Sequence, residues 1–181
     1  MFKFYYLIFS IFIVFSCFKD DKSSDEELLS QDNEDIVLAL KVHNDARKEV
    51  GVNILEWSDE LSKDAKAYAE ILAKNNKGLI HSENSDREGQ GENLSLAWNS
   101  SVEIENPLNG GSVAWYNEIK DYKYAEISSS LNEGVVIGHY AQMIWYSTKY
   151  LGMGSAISTD GKVYVVARYN PPGNYIGEYP Y

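Results

Sequence analysis

The sequence predicts an α+β fold in which helices pack on a small antiparallel sheet, either on one side or as a helix–sheet–helix sandwich. In the first half of the chain, apolar residues recur at the 3.6-residue period of an amphipathic helix. Near the C-terminus, two stretches rich in β-branched and aromatic residues flank Thr159-Asp160-Gly161, which is a hairpin turn signal. Helices followed by a hairpin are typical of this class. The 181 residues suit one domain plus an accessory segment.

The first two predicted helices have clear ends. One helix is predicted over residues 36–50, because Gly51 follows it as a left-handed C-cap. A second helix is predicted to begin after Ser58, a good N-cap that is followed by two acidic residues. That helix should end at residues 75–78, which read Asn-Asn-Lys-Gly. Its predicted buried residues are Leu61, Ala65, Tyr68 and Leu72.

The middle of the chain is more irregular. Residues 79–111 are rich in Gly, Asn and Ser and are predicted to form a loop, with a short apolar piece at 94–98. Ser112 is predicted to cap a third helix, and a fourth helix is predicted after Gly138. The third helix should bury Trp115, Ile119 and Tyr122. The two predicted strands are residues 151–158 and 162–169.

Composition excludes several classes of protein. The chain has 27 acidic and 16 basic residues, for a formal net charge of −11. This argues against nucleic-acid binding, which needs a basic surface, and against electrostatic attachment to anionic membranes. The single cysteine excludes an internal disulfide framework and any multi-cysteine metal site.

The N-terminus has the features of a secretion signal. Lys3 precedes an apolar run at residues 4–15, which as a helix would be roughly 18 Å long, too short for a hydrocarbon core of roughly 30 Å. Cys17 follows Val14-Phe15-Ser16 in a pattern that resembles a bacterial lipobox. We therefore expect a signal peptide at residues 1–16, acylation of Cys17, and a secreted protein anchored by lipid to the membrane of a bacterial envelope.

An acidic stretch separates Cys17 from the predicted domain. In residues 17–35 most positions after Lys19 are acidic or polar, and few side chains can be buried. Such a stretch does not offset the entropy lost on ordering, so we expect a disordered tether there. The globular domain is predicted to be residues 36–181.

Four residues are candidates for a functional site: His81, Glu92, Glu118 and His139. Their spacing matches no local metal or catalytic motif. From spacing alone, each histidine is better explained as a packed or capping residue than as a ligand, and each glutamate as a solvated surface group. Two of them lie on a polar, glycine-containing segment of the kind that often carries function. His139 is at a predicted helix start, where the dipole disfavours the imidazolium form.

The segment Gly-His-Tyr-Ala-Gln-Met-Ile-Trp at residues 138–145 resembles the signature of the CAP superfamily, which includes cysteine-rich secretory proteins, antigen five and plant pathogenesis-related group one proteins. Further family motifs follow the expected order. They are His-Asn-x-x-Arg at residues 43–47, Gly-Glu-Asn at 91–93, the segment Trp-Tyr-Asn-Glu-Ile at 115–119, and the closing segment at 165–175. The resemblance covers residues 36–178. Ala167 stands where secreted eukaryotic members often have cysteine.

The resemblance implies a three-layer α-β-α sandwich with a small central antiparallel sheet. It also implies that His81, Glu92, Glu118 and His139 form a tetrad in a cleft, with His81 and His139 as ligands for Zn²⁺ or another divalent metal. The remaining motif residues are expected to have structural roles. These are His43, Asn44, Arg47, Asn93, Gln142, Tyr169, Pro171, Gly173 and Asn174.

Three functions remain open for such a domain. The first is binding of a metal or of an apolar ligand such as a sterol or fatty acid, for which residues 103–108 are a candidate loop. The second is a metal-assisted hydrolase or protease, in which Glu92 or Glu118 would be the catalytic base. The third is an envelope or host-interaction module with a vestigial cleft.

Overall fold

The computed structural model describes the backbone of residues 22–98, 104–128 and 134–181, and the side chains within these ranges from residue 33 onward. Four α-helices and four β-strands lie in these ranges. The helices are α1 (Lys22–Glu49), α2 (Asp59–Asn75), α3 (Pro107–Tyr116) and α4 (Gly138–Met143). The strands are β1 (Glu56–Trp57), β2 (Gly91–Ala97), β3 (Tyr150–Ile157) and β4 (Val163–Asn170). Short 3-10 helices lie at Asn84–Asp86 and Asn117–Lys120.

The strands form one sheet in the order β1-β3-β4-β2. β3 and β4 are the predicted antiparallel hairpin, and β2 pairs antiparallel with β4 so that Glu92 lies opposite Arg168. β1 runs parallel to β3, through Glu56 and Trp57. The sheet is therefore mixed, because the short β1 adds one parallel pairing to the predicted antiparallel strands.

Alternate side chains of β4 belong to two different buried clusters. Val163, Val165, Ala167 and Tyr169 belong to the cluster that contains residues of α1, α3 and α4. The intervening Tyr164 and Val166 pack with residues of α2 instead. Because successive side chains of a strand point to opposite faces, helices cover both faces of the sheet. The predicted three-layer α-β-α sandwich is confirmed.

Helix α1 begins much earlier than predicted. It starts at Lys22 rather than at the predicted residue 36, so residues 22–35 also belong to this helix. Asp35 is buried, and its carboxylate accepts hydrogen bonds from the backbone N–H groups of Leu108 and Asn109 at 2.9 and 2.8 Å. A side chain assigned to the tether thus caps the start of α3, and this long-range contact ties α1 to the domain.

Two elements of the middle region also differ from the prediction. Residues 91–97 form strand β2 rather than a loop. Ser112 is not an N-cap, because α3 begins at Pro107 and Ser112 lies buried inside it, where its hydroxyl donates to the carbonyl of Leu108. The side chain that caps α3 is Asp35. Because it is distant in sequence, no local pattern predicts this cap.

The ends of α2 are as predicted. The Ser58 side chain accepts a hydrogen bond from the backbone N–H of Leu61, and Asn76 closes the helix in the left-handed conformation. Within the described ranges, no helix combines the length and the apolar character needed to cross a membrane. The predicted signal peptide at residues 1–16 and the predicted acylation site Cys17 lie outside the described residues.

Candidate functional site

The first candidate pair is His81 with Glu92. Nδ1 of His81 lies 2.6 Å from Oε1 of Glu92, which also accepts from the backbone N–H of Ser82 at 3.0 Å. The second oxygen, Oε2, accepts from the Ser82 hydroxyl at 2.8 Å and lies 3.1 Å from Nη1 of Arg168. The Glu92 side chain is fully buried, whereas the His81 side chain is 58% exposed. The carboxylate is thus fixed inside the protein and the imidazole faces solvent.

Electrostatics keep Glu92 ionised despite its burial. Burial alone would raise the pKa of this carboxyl group, but the hydrogen bond from His81, the charge of Arg168 and the Ser82 contacts hold the pKa below its usual value. Burial in turn lowers the pKa of Arg168, and the charge of Glu92 opposes that effect. The two groups therefore form a buried ion pair.

The second candidate pair is His139 with Glu118. Nδ1 of His139 lies 2.5 Å from Oε1 of Glu118. Oε2 of the same carboxylate accepts from the backbone N–H groups of His139 and Tyr140, both at 3.0 Å, in the first turn of α4. The Trp115 ring stacks against the imidazole, with ring centroids 6.1 Å apart. The His139 side chain is 25% exposed, so this imidazole is also accessible to solvent.

Both imidazoles are held in the same tautomer. A carboxylate can only accept a hydrogen bond, so Nδ1 of each ring must carry the proton that it donates to Glu92 or Glu118. In the neutral ring, the other nitrogen, Nε2, then has a free lone pair. An imidazole whose N–H is fixed by a carboxylate is the usual arrangement of a histidine that binds a metal.

The two pairs flank the same edge strand. Glu92 and Asn93 are consecutive on β2, so their side chains point to opposite faces of the sheet. Glu92 holds His81 on one side, while the Asn93 amide donates to the carbonyl of His139 at 3.1 Å on the other. Within the described ranges, no cluster of three or more His, Cys, Asp or Glu side chains could hold a metal ion. The contacts that join the four residues are those within the two His–Glu pairs.

A buried hydrogen-bond chain supports the strand that carries these pairs. Nδ1 of His43 donates to the carbonyl of Ala39, so Nε2 must accept the hydrogen bond of the Tyr169 hydroxyl at 2.8 Å. The same hydroxyl accepts from the Asn93 amide at 3.0 Å. Burial lowers the pKa of His43 to about 4, so this histidine is neutral near pH 7. Both of its ring nitrogens thus have partners inside the protein.

Other motif residues link backbone segments. The Arg47 guanidinium is buried and donates to the carbonyls of Asn53, Met143, Trp145 and Thr148. The Asn44 side chain donates to the carbonyl of Leu55 and accepts from the backbone N–H of the same residue.

Hydrogen bonds between side chains and backbone also fix the C-terminal turn at residues 171–174. Gln142 accepts from the backbone N–H of Gly173 at 2.8 Å, and Asn174 donates to the carbonyl of Gly138 at 2.8 Å. The carbonyl of Pro171 accepts from the Thr148 hydroxyl. The turn therefore packs against the start and the end of α4.

The sequence prediction missed the residues that hold Glu92. Arg168 lies opposite Glu92 in the sheet, and its guanidinium is 5.3 Å from the ring centroid of Tyr68 on α2. Ser82 follows His81 directly and contacts both members of the ion pair. One signal was available, because Arg168 is a charged residue within an otherwise apolar strand, and such a position requires a buried partner.

The model of the cysteine-rich secretory protein family, CAP, matches residues 40–169, which is most of the domain. Golgi-associated plant pathogenesis-related protein 1 of Homo sapiens is 40% identical over 141 residues, covering 77% of this chain and 84% of that protein. The chain belongs to the CAP family. Pathogenesis-related protein 1 of Arabidopsis thaliana is 37% identical over 144 residues, covering 78% of this CAP protein and 80% of the relative.

Solved structures agree with the CAP fold. Na-ASP-1 has a TM-score of 0.68 at 26% identity, covering 80% of this chain, which spans only 40% of that larger protein. NaASP2, crystallised with Zn²⁺, has a TM-score of 0.68 at 24% identity, covering 80% of this chain and 83% of that one. The latter similarity concerns the fold alone.

Proposed function

We propose that this CAP domain binds a divalent metal ion, Zn²⁺, through Nε2 of His81 and Nε2 of His139. The observation that carries the proposal is that each imidazole donates its Nδ1–H to a carboxylate, at 2.6 Å for Glu92 and 2.5 Å for Glu118. Both rings thus offer a lone pair from a solvent-accessible side chain. NaASP2, which shares the fold, was crystallised with Zn²⁺.

The donor set fits an open zinc site rather than a closed structural one. Two imidazole nitrogens suit Zn²⁺, but structural zinc is held by four protein ligands. The described residues offer no third His, Cys, Asp or Glu ligand in such a group. When bound, the ion would supply a Lewis-acidic centre for an oxygen ligand. His81 and His139 would hold it, and Glu92 and Glu118 would orient the two rings.

The hydrolase alternative has less support. A general base needs a carboxylate oxygen free to take a proton from water. Both oxygens of Glu92 and both oxygens of Glu118 already accept hydrogen bonds from the protein. The geometry therefore favours these carboxylates as supports for the imidazoles over catalytic bases.

Titration of zinc into the metal-free protein tests the proposed site. We expect one zinc ion per chain by isothermal titration calorimetry. His81→Ala and His139→Ala should each weaken zinc binding by more than about 100-fold, because each removes a direct ligand. Glu83→Gln is the matched control, since it removes an exposed carboxylate from the same segment as His81. Unchanged zinc affinity in either histidine variant would refute a shared site.

A second candidate function is binding of an apolar ligand such as a fatty acid or sterol. The described part of the predicted loop, residues 104–108, lines a cavity of about 630 Å³. Ile36 of α1 and Ile157 of β3 contribute to the same cavity. This volume is in the usual range for small-molecule pockets. The cavity is lined by none of the four site residues, so such binding would be separate from the metal.

A charge placed on the wall of this cavity tests the second function. Ile157 is 64% exposed, so Ile157→Asp should fold while placing a carboxylate beside the ligand. We expect the affinity for a fluorescent fatty acid to fall at least about tenfold, because the new charge is buried by an apolar chain and repels the carboxylate of the probe. Ile71→Asp is the control, because Ile71 is 51% exposed on α2 and does not line the cavity. Equal affinity of the two variants would contradict binding in this cavity.

We also propose that Cys17 anchors the secreted protein to the membrane of a bacterial envelope. The support is the lipobox-like sequence Val14-Phe15-Ser16-Cys17 that follows the apolar run. Two or three acyl chains would hold a protein stably on a bilayer. After expression in bacteria fed a labelled fatty acid, the wild type should carry the label and Cys17→Ser should not. Label retained by the Cys17→Ser variant, or absent from the wild type, would contradict acylation at this residue.

A further inference from the structure

We infer that Arg168 is a positioning residue for His81: it holds the Glu92 carboxylate in the one orientation that fixes the imidazole with Nδ1 protonated and Nε2 free. This inference rests on the proposed function in so far as the free Nε2 is a zinc ligand. The tautomer itself is a property of the metal-free protein and can be tested separately.

The contacts around Glu92 support this role. Its two carboxylate oxygens have separate partners. Oε1 receives the imidazole N–H, while Oε2 is 3.1 Å from Nη1 of Arg168. The Ser82 hydroxyl joins the two sides, since it donates to Oε2 at 2.8 Å and accepts from Nη1 at 3.1 Å. With Oε2 engaged in this way, Oε1 is directed toward His81.

The surroundings of Arg168 make it a rigid support. Its side chain is 3% exposed, and Glu92 lies directly opposite it in the pairing of β2 with β4. The guanidinium also lies 5.3 Å from the ring centroid of Tyr68, within the range of a cation–π interaction. Sheet pairing and a helix side chain therefore both restrict the arginine. Without it, the fully buried Glu92 side chain would lose its countercharge.

The second histidine provides an internal control. Glu118 is held by the backbone N–H groups of His139 and Tyr140, and no contact with Arg168 supports it. His43 is a further reference, because its tautomer is fixed by Ala39 and Tyr169. These residues belong to the buried cluster on the other face of the sheet from Tyr68. The chain has three histidines, so each supplies one assignable signal. Loss of Arg168 should therefore change only the signal of His81.

The experiment is long-range ¹H–¹⁵N NMR of the imidazole rings in the metal-free full chain, at a pH well above the usual imidazole pKa. In the wild type all three rings should show a single tautomer with Nδ1 protonated. In Arg168→Met the His81 ring should become a mixture of both tautomers, because the hydrogen bond made at one nitrogen determines which nitrogen is protonated. Arg168→Lys should restore the single tautomer by returning a cation to Oε2.

The zinc titration adds a second readout. Arg168→Met should weaken zinc binding about tenfold, as is typical when a residue that orients a ligand is removed. A single, unchanged His81 tautomer in Arg168→Met overturns the inference, whatever the zinc affinity. If Arg168→Met does not fold, Arg168→Gln keeps a polar side chain opposite Glu92 without the charge, and an unchanged His81 tautomer in that variant overturns the inference equally. If the wild type binds no zinc but Arg168→Met still shows the predicted change in the His81 tautomer, only the proposed function is refuted.

Discussion

Arg47→Met is expected to lower the free energy of unfolding by about 3–5 kcal/mol. Methionine fills most of the same space, so the loss arises from hydrogen bonding rather than from a cavity. The buried guanidinium donates to four carbonyls, those of Asn53, Met143, Trp145 and Thr148. Each acceptor left buried without a donor costs about 1–3 kcal/mol. Urea unfolding monitored by tryptophan fluorescence measures the change.

The control for this substitution is Lys48→Met on the same helix. The Lys48 side chain is 64% exposed and forms an ion pair with Asp45 at 3.3 Å. Its replacement should change the free energy of unfolding by less than about 0.5 kcal/mol. A loss below about 1 kcal/mol for Arg47→Met would mean that water or rearranged backbone satisfies the four carbonyls.

Gly152→Ala is expected to destabilise the domain by about 3 kcal/mol or to prevent folding. Helix α2 packs directly on the glycines of β3, and a Cβ atom on Gly152 would overlap the backbone of Ser62 and Leu61. Backbone atoms cannot rotate away as a side-chain terminus can, so α2 would have to move off the sheet. That movement would disturb the buried cluster that contains Ala65, Ala69 and Leu72.

A second glycine gives the matched control with the opposite sign. Gly110 lies within α3, and a Cβ atom there would meet nothing within 4 Å. Gly110→Ala should therefore raise the free energy of unfolding by about 0.5–1 kcal/mol, because alanine is the better helix former. Thermal unfolding of both variants measures the two changes in stability. Equal stabilities of Gly152→Ala and Gly110→Ala would show that α2 does not pack tightly on β3.

Sequence patterns predicted the elements whose signals are local. The hairpin of β3 and β4 has β-rich flanks around a turn, and the Ser58 cap of α2 has its partner Leu61 three residues away. Strand β2 was missed because its residues 91–97 include Gly, Glu, Asn and Ser, whose presence suggests a loop. These polar residues are tolerated because the structure satisfies them with distant partners: Glu92 with Arg168, and Asn93 with His139.

The candidate site was predictable as residue types but not as contacts. The resemblance to the CAP family identified His81, Glu92, Glu118 and His139, yet no local pattern shows which histidine pairs with which glutamate. The pairing depends on where β2 and α4 meet, which is a property of the folded sandwich. The two supports also differ in kind, since Glu92 is held by a buried arginine and Glu118 by backbone N–H groups of α4.

In the proposed site, two imidazoles from opposite sides of β2 bind one metal ion. Anomalous diffraction at the zinc edge, from crystals of the protein grown with zinc, tests it most directly. We predict one zinc peak at about 2.0–2.1 Å from Nε2 of His81 and from Nε2 of His139, with their Nδ1–H groups still donating to Glu92 and Glu118. Zinc bound to only one of the two rings, or bound through Nδ1, would contradict a site shared by the two histidines.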